Sequence, residues 1–240
     1  IGTDRQSGLL TPNLGMSSDL GVDYAQPIYW NIAPNYDYTF TPRIMSKRGV
    51  MLGNEFRFLT SNMGGTVRYD WMPDDKHYDE SRYGAHVDGW AKWNDINFRV
   101  NYNQTSDGNF IDDFSGDFSE VDDAVLPQDF SMSYGRDFWN ASLSVNKNQV
   151  LDRDHHYPVD KPYEKVPVFR WNAYYADFHG LELSSTIEAG RFKHKDDHFK
   201  PEGDRFYMKH SVAYPMRGAA WFVTPKAMVT GVSYNLNGLN

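Results

Sequence analysis

Side chains able to do chemistry are plentiful in this sequence but poorly grouped. Asp154-His155-His156 and the run Lys193-His194-Lys195-Asp196-Asp197-His198 carry metal-capable groups. A metal site needs ligands returning at set strand or helix spacing, however, and these runs lie in long polar connections. They read as surface-loop residues. Asp107, Asp112, Asp113, Asp117, Glu120, Asp122 and Asp123 fall in one stretch without Lys or Arg. Two readings stand for it: a solvated external loop, or a divalent-cation site, although the carboxylates lack the fixed spacing of a calcium loop. No serine occupies a Gly-x-Ser-x-Gly elbow, and no glycine-rich phosphate loop occurs. A Ser/His pair brought together across strands is left open, and nothing in the sequence points to one. There is no cysteine, hence no disulfide framework or thiolate chemistry within these residues. The expectation is therefore no enzyme, no catalytic residue, no metal and no cofactor.

Charge narrows the partners. Lys and Arg number 24 against 32 Asp and Glu, a net charge of −8, and no basic face emerges to meet phosphate, which argues against nucleic acid. Mean hydropathy is −0.67, and no window approaches the ~20 apolar residues of a spanning helix. Any membrane protein here must be built of strands.

The elements supply that possibility. Ile96, Phe98, Val100 and Tyr102 alternate with Asn97, Arg99 and Asn101, the period of a strand with one apolar side. Tyr36, Tyr38 and Phe40 repeat the pattern, as do Phe130, Met132 and Tyr134; Trp139, Ala141, Leu143 and Val145; and Phe206, Met208, His210, Val212 and Tyr214. About thirteen strands are expected, near residues 7–15, 19–30, 35–46, 50–60, 65–72, 83–93, 95–105, 128–135, 138–149, 166–176, 180–190, 204–215 and 218–234. From the fifth onward the joints alternate: Pro73–Arg82 long, Trp93–Asp95 short, Ser106–Pro127 long, Gly135–Asp137 short, Val150–Lys165 long, Asp177–Gly180 short, Arg191–Gly203 long, Pro215–Gly218 short. An antiparallel up-and-down transmembrane β-barrel produces this parity, with tight periplasmic turns on one rim and longer external loops on the other. A soluble β-sandwich or propeller is the competing architecture. Aromatics at 16% suit the girdles of a membrane barrel as well as ordinary sheet packing. The sequence opens at Ile1 without an export signal, which reads as a mature or internal segment of something longer.

If Phe56 and Phe58 face lipid, Glu55 and Arg57 face inward, as do Asp37, Thr39, Thr41 and Arg43 opposite Tyr38 and Phe40. Asp37, Arg43, Glu55 and Arg57 are thus candidates to line the lumen, against either cargo or plain solvation with internal salt bridges. Pro12 and Pro27, expected within the first and second strands, each remove a ladder donor. Gly8 and Gly15 weaken the same first strand.

Ser7-Gly-Leu-Leu-Thr-Pro12, Pro27-Ile-Tyr-Trp-Asn-Ile-Ala-Pro-Asn35, Tyr36-Asp-Tyr-Thr-Phe-Thr-Pro42, Arg48-Gly49, Asn54-Glu-Phe-Arg-Phe-Leu59 and Asp70-Trp-Met-Pro-Asp74 occur in this order. Together they resemble the start of the barrel domain of the lipopolysaccharide-assembly family LptD. The likeness is clear from Arg5 to Asp74, looser through Phe110-Ile-Asp-Asp-Phe114 to about Val150, and beyond that only the strand rhythm continues. The resemblance implies an amino-terminal half of a very large outer-membrane barrel, near 26 strands at the large end of the known range, lacking jellyroll and closing strands. It implies lipopolysaccharide as cargo, an LptE-type plug lipoprotein, a periplasmic lipopolysaccharide bridge protein docking through the missing jellyroll, outer-membrane lipid around the wall, and contact with the barrel-assembly machinery during insertion. The family's cysteines lie in the jellyroll and near the carboxyl terminus, which agrees with their absence here. It further implies that Gly8, Pro12, Gly15 and Pro27 loosen a lateral gate between the first and last strands. A porin or plugged solute transporter, and a soluble β-rich carbohydrate-binding module, are the alternatives.

Overall fold

A computed structural model describes residues 5–114, 125–151, 161–194 and 200–237. The chain alternates strand and turn almost throughout. The early segments are β1 (Gly8–Leu9), β2 (Asn13–Ser17), β3 (Gly21–Ala25), β4 (Ile28–Ala33), β5 (Tyr36–Met45), β6 (Gly49–Leu59), β7 (Met63–Asp75), β8 (Glu80–Trp93) and β9 (Ile96–Thr105). A five-residue helix, α1 (Phe110–Phe114), precedes β10 (Val125–Arg136), β11 (Trp139–Val150), β12 (Glu164–Phe178), β13 (Leu181–Lys193) and β14 (Glu202–Ala213). Two short strands, β15 (Met216–Arg217) and β16 (Phe222–Val223), then lead to β17 (Lys226–Asn237).

Fifteen of these form one antiparallel sheet in the order β1-β4-β5-β6-β7-β8-β9-β10-β11-β12-β13-β14-β17, with β2 on β3 and β3 on β5. The expected thirteen strands are there as thirteen positions, because β1 and β2 are two pieces of the first and β3 and β4 two pieces of the second. Positions neighbouring in the sheet are consecutive in the chain, as an up-and-down arrangement requires. The tightest turns carry the residues that positive φ demands: Asn94 (φ 53°) before Asp95, and His179-Gly180 (φ 54° and 84°), a pair suited to a two-residue hairpin.

Two joints depart from the expected alternation. Pro73–Arg82 is not a long loop: β7 runs on to Asp75 and β8 begins at Glu80, with an irregularity between Met72 and Asp75 that absorbs Pro73. Tyr78 and Asp79 N–H both donate to Asp75 O, at 3.0 and 2.7 Å, closing a compact turn. At the other end, Pro215–Gly218 is not a tight turn followed by a strand. Residues 214–225 form a connection containing the β15–β16 hairpin, and the last strand begins eight residues later than expected, at Lys226. Alternation cannot detect this, because the Trp221-Phe222-Val223 run is apolar enough to pass for strand.

The sheet has two chemically distinct faces. Pairing places Tyr38 opposite Phe56 and Phe56 opposite Val67, and Tyr36, Phe56 and Phe58 stack at ring distances of 6.2 and 5.9 Å. On the early strands these rings share the apolar face with exposed Trp30, Val67 and Trp71; on the late strands exposed Phe169 and Phe206 lie on one face through the pairs Phe169↔Ala189 and Ala189↔Phe206. A soluble module covers such a face with a second layer; among the described residues the other sheet is only the β15–β16 hairpin. The residues between them, including Asp37, Arg57, Glu55 and Arg68, form the polar face.

The chain packs as two compact units: Ile1–Ala91 with Arg99–Gln128 and Asn148–Asp160, and Lys92–Phe98 with Asp129–Lys147 and Lys161–Asn240. In the first, α1 lies against the polar face, and Phe110 and Phe114 pack on Met45, Met51 and Met72. In the second, Glu188 bridges Arg170 and Arg205 across three neighbouring strands.

Candidate functional site

The first hairpin is interrupted at its middle, and both prolines lie at the interruption instead of inside strands as the sequence suggests. Between the pairs Leu9↔Ile28 and Asn13↔Ala25, three residues on the first strand (Leu10, Thr11, Pro12) face two on the second (Gln26, Pro27). This is a one-residue bulge, and it shifts side-chain parity. The shift has a use: Leu9 opposite Ile28, and Leu14 and Met16 opposite Tyr24 and Val22, all reach the apolar face despite their mixed odd and even numbers.

Hydrogen bonding across the break is short of one donor. Leu10 N–H donates to Pro27 O at 3.0 Å. In an ordinary antiparallel pair the reciprocal bond would run from residue 27 to Leu10 O, but proline has no N–H. The Gln26 side chain fills the vacancy: its Nε2 donates to Leu10 O at 2.9 Å and to Pro27 O at 3.1 Å, while Tyr24 hydroxyl holds its Oε1 at 3.0 Å. On the other side Gln26 N–H still donates to Pro42 O at 3.1 Å, so the pairing with β5 is unbroken. The deficit at Pro27 therefore falls between the first and second strands, not on the first strand's outer edge. Gly8 and Gly15 are not forced by space: a Cβ at Gly8 meets nothing within 4 Å, and one at Gly15 only Asp23 Cβ at 4.0 Å. Their contribution is backbone freedom.

The four charged residues picked from the sequence share the polar face beside this break. Arg57 donates to Asp37 through Nε and Nη2, at 2.7 and 3.1 Å, and Arg5 reaches the same carboxylate at 3.0 Å. Arg43 forms a two-point pair with Asp23, at 2.9 and 2.7 Å, and Glu55 accepts from Arg68 at 2.6 Å. Bidentate geometry of this kind is the strong form of ion pairing. Arg43, Glu55 and Arg57 line a recess of about 540 Å³ together with Leu10, Asn13 and Pro27 from the broken hairpin and Phe110 and Phe114 from α1.

The acidic stretch departs from both sequence readings at Asp107 and Asp113, whereas Asp112 is exposed as a solvated loop residue is. Asp107 and Asp113 are not a solvated loop, and their charges are answered by arginines instead of being left for a cation. Arg82, fully buried, donates to Asp107 at 2.8 and 2.7 Å, to Asp75 at 2.8 Å and to Asp113 at 2.7 Å. Arg48 holds Asp75 through two bonds of 2.8 Å and Asp113 through another. The Arg82 guanidinium lies 4.3 Å from the Tyr78 ring centroid and 5.1 Å from that of Phe114, a cation–π arrangement. Burial works against charge on Asp107, but its bonds from Arg82 and Ser106 win and hold the carboxyl below its ordinary range. Asn109 N–H capping Asp107 Oδ1 at 3.0 Å starts the turn that leads into α1. Asp117, Glu120, Asp122 and Asp123 lie outside the described residues, as do Asp154-His155-His156 and 195–199. His194 is not a surface residue: it is buried, its Nε2 lies 2.6 Å from Lys161 O, and its N–H donates to Glu202 at 2.7 Å. No group of three or more metal-capable side chains occurs among the described residues.

Sequence reasoning missed Gln26, Arg48 as an ion-pair hub, and Arg82. A surplus of acid with no base nearby in sequence was a usable sign that its counter-charges must come from neighbouring strands.

Comparison with known proteins bears on this arrangement. The family described as LptD, LPS transport system D, matches residues 80–240. The LPS-assembly protein LptD of Azoarcus sp. (strain BH72) is 37% identical over 237 residues, covering 97% of this chain and 29% of that protein. Its counterpart in Nitrosomonas eutropha is 34% identical over 245 residues, covering 98% of this chain and 33% of the relative. For Ralstonia nicotianae the figures are 32% over 238 residues, 99% and 29%. The chain thus spans about a third or less of these relatives' length, and the likeness extends well past Val150, where the short blocks fade. The chain belongs to the LptD family, LPS transport system D, whose members are outer-membrane β-barrel proteins of Gram-negative bacteria.

Proposed function

We propose that this chain is the amino-terminal part of a barrel that inserts lipopolysaccharide into the outer leaflet, and that its broken first hairpin belongs to the wall segment that opens sideways. One observation carries the reading: the interrupted hairpin and the charged recess are the same place, with Pro27, Leu10 and Asn13 lining it alongside Arg43, Glu55 and Arg57. Phosphorylated sugars travel along the polar face, where paired arginines and carboxylates exchange partners with them, while acyl chains leave through the weakened first hairpin. Each backbone bond contributes only about 0.5–1.5 kcal/mol net, so a bulge, two prolines and two glycines in one hairpin lower the cost of parting it. A porin has the same alternation of faces but no need for this interruption.

The partners follow from the same reading: lipopolysaccharide delivered by a periplasmic bridge protein through a jellyroll outside these residues, an LptE-type lipoprotein plug, surrounding outer-membrane lipid, and the barrel-assembly machinery during insertion. The test is Pro12→Ala combined with Pro27→Ala in the full-length protein. Surface lipopolysaccharide is expected to fall while the barrel still assembles. Unchanged delivery overturns the gate, and conductance without any need for a lipoprotein partner favours a porin.

A further inference from the structure

The apolar face of the second unit carries a recess that alternation alone does not produce. Cross-strand pairing sets Ala173, Ser185, His210 and Val229 in one row and Tyr175, Leu183, Val212 and Ala227 in the next. Small side chains at Ala173, Ser185 and Ala227 leave a floor, and the rings of Phe138, Tyr175 and Phe178, 5.2 and 6.1 Å apart centroid to centroid, raise a wall beside it. The result is an open groove of about 690 Å³.

One polar pair sits in this apolar surface. Ser185 Oγ and His210 Nδ1 are 2.8 Å apart. With the serine hydroxyl donating to Nδ1, the neutral ring carries its proton on Nε2, which has no partner among the described residues and points from an exposed side chain. A polar residue on a membrane-facing strand is costly unless something there accepts its hydrogen bond. His210 stands three residues from the end of β14, at the end of the second unit that also carries the His179-Gly180 turn, about 10 Å along a strand. On the reading of this face as membrane-exposed, the aromatic wall of Phe138, Tyr175 and Phe178 marks the girdle between head groups and hydrocarbon, within reach of lipid ester and phosphate oxygens. Hydrolysis is not the natural use of the pair, because the flanking backbone N–H groups are committed to the ladder and none is free to stabilise an oxyanion.

We propose that this groove is a site for one glycerophospholipid of the surrounding membrane, an acyl chain lying along Ala173, Ser185 and Ala227 against the aromatic wall, with an ester or phosphate oxygen accepting from His210 Nε2. The proposal rests on the reading of this face as membrane-exposed. A lipid is favoured over a protein because the groove continues the apolar face of an outer-membrane family; a flat strand surface would hold lipid only in passing.

The test uses the full-length protein with its lipoprotein partner, purified in detergent and titrated with palmitoyl-oleoyl phosphatidylethanolamine under native mass spectrometry. The unaltered protein should retain one lipid that Ala227→Trp, which fills the groove, does not. His210→Phe should bind it about tenfold more weakly, the loss of one good hydrogen bond. Ala85→Trp, on the apolar face of the first unit and outside the groove, should leave it unchanged. Equal retention by the unaltered protein and Ala227→Trp overturns the site, as does an equal loss in Ala85→Trp. Should Ala227→Trp fail to fold, the same phospholipid bearing a diazirine on its acyl chain decides the matter in proteoliposomes. Adducts concentrated at 173–178, 183–185 and 227–229 support the groove. Adducts spread evenly over the apolar face overturn it and leave the membrane orientation intact, whereas none on that face overturns the orientation itself.

Discussion

One side-chain amide completes the hydrogen bonding at the middle of the first hairpin, beside the backbone bond from Leu10 N–H to Pro27 O. Gln26 Nε2 supplies the hydrogen that Pro27 lacks, and its two acceptors, Leu10 O and Pro27 O, belong to the two strands that meet there. Gln26→Met keeps the length and removes the donor. The orphaned carbonyl then costs about 1–3 kcal/mol if it stays dry, so amide hydrogen exchange in residues 8–17 of the full-length barrel should speed up markedly while β6 to β8 stay protected. Unaltered exchange would show that Gln26 is a bystander. Asp107 offers a test by pH. Its carboxyl is held below the usual value of about 3.9, so its contribution is complete above that value and lost only as pH falls through the lower folded value. Residues 106–114 should therefore resist protease at pH 5 as at pH 7 and yield only in stronger acid. Yielding between pH 6 and 5 contradicts the ion-pair account. Arg82→Met is the harsher change, since it strands buried carboxylates; loss of one partner of a buried pair costs about 3–5 kcal/mol, and release of α1 at neutral pH is the expected readout.

At the scale of elements, the bulge is the decisive device. Deleting Thr11 removes the surplus residue between Leu9 and Asn13 and forces a choice: either β1 or β2 must turn its apolar side chains onto the charged face. Assembly of the full-length barrel should drop sharply, visible as loss of the heat-modifiable folded form on a gel, whereas Thr11→Ser at the same position should be harmless. The strand pattern itself was legible in the sequence because side-chain period and face chemistry agree over β5 to β9, which is why Asp37, Arg43, Glu55 and Arg57 could be grouped on one polar face. The break was legible only as two prolines. Nothing local records that three residues face two, since that depends on which residues pair. The counter-charges of Asp107 were illegible for the same reason: Arg82 lies 25 residues away along the chain and beside it only through the β8–β9 hairpin. At Pro73 and at Pro215 a proline was over-read as an end of structure, although a bulge absorbs the first and a small hairpin follows the second.

Across the whole molecule, two faces meet two solvents, and substitutions should divide accordingly. Val100 lies on the apolar face, near the Cβ direction of Gly89, and Asn101 on the other. Val100→Lys near mid-strand is expected to cost about 2–4 kcal/mol, read as a lower urea midpoint for the folded barrel in lipid. Asn101→Lys should move that midpoint far less. Equal effects at both positions would mean that the sheet does not separate hydrocarbon from water.

The paired charges of the polar face bear on traffic as well as on stability. Asp23, Asp37, Glu55, Arg43, Arg57 and Arg68 are each already engaged, so an anionic visitor gains an arginine only by displacing the carboxylate that holds it. Such a surface grips nothing firmly and repels nothing strongly. Under the function proposed above it would serve as a low-friction track, with brief residence at every step and net movement dictated by supply from behind.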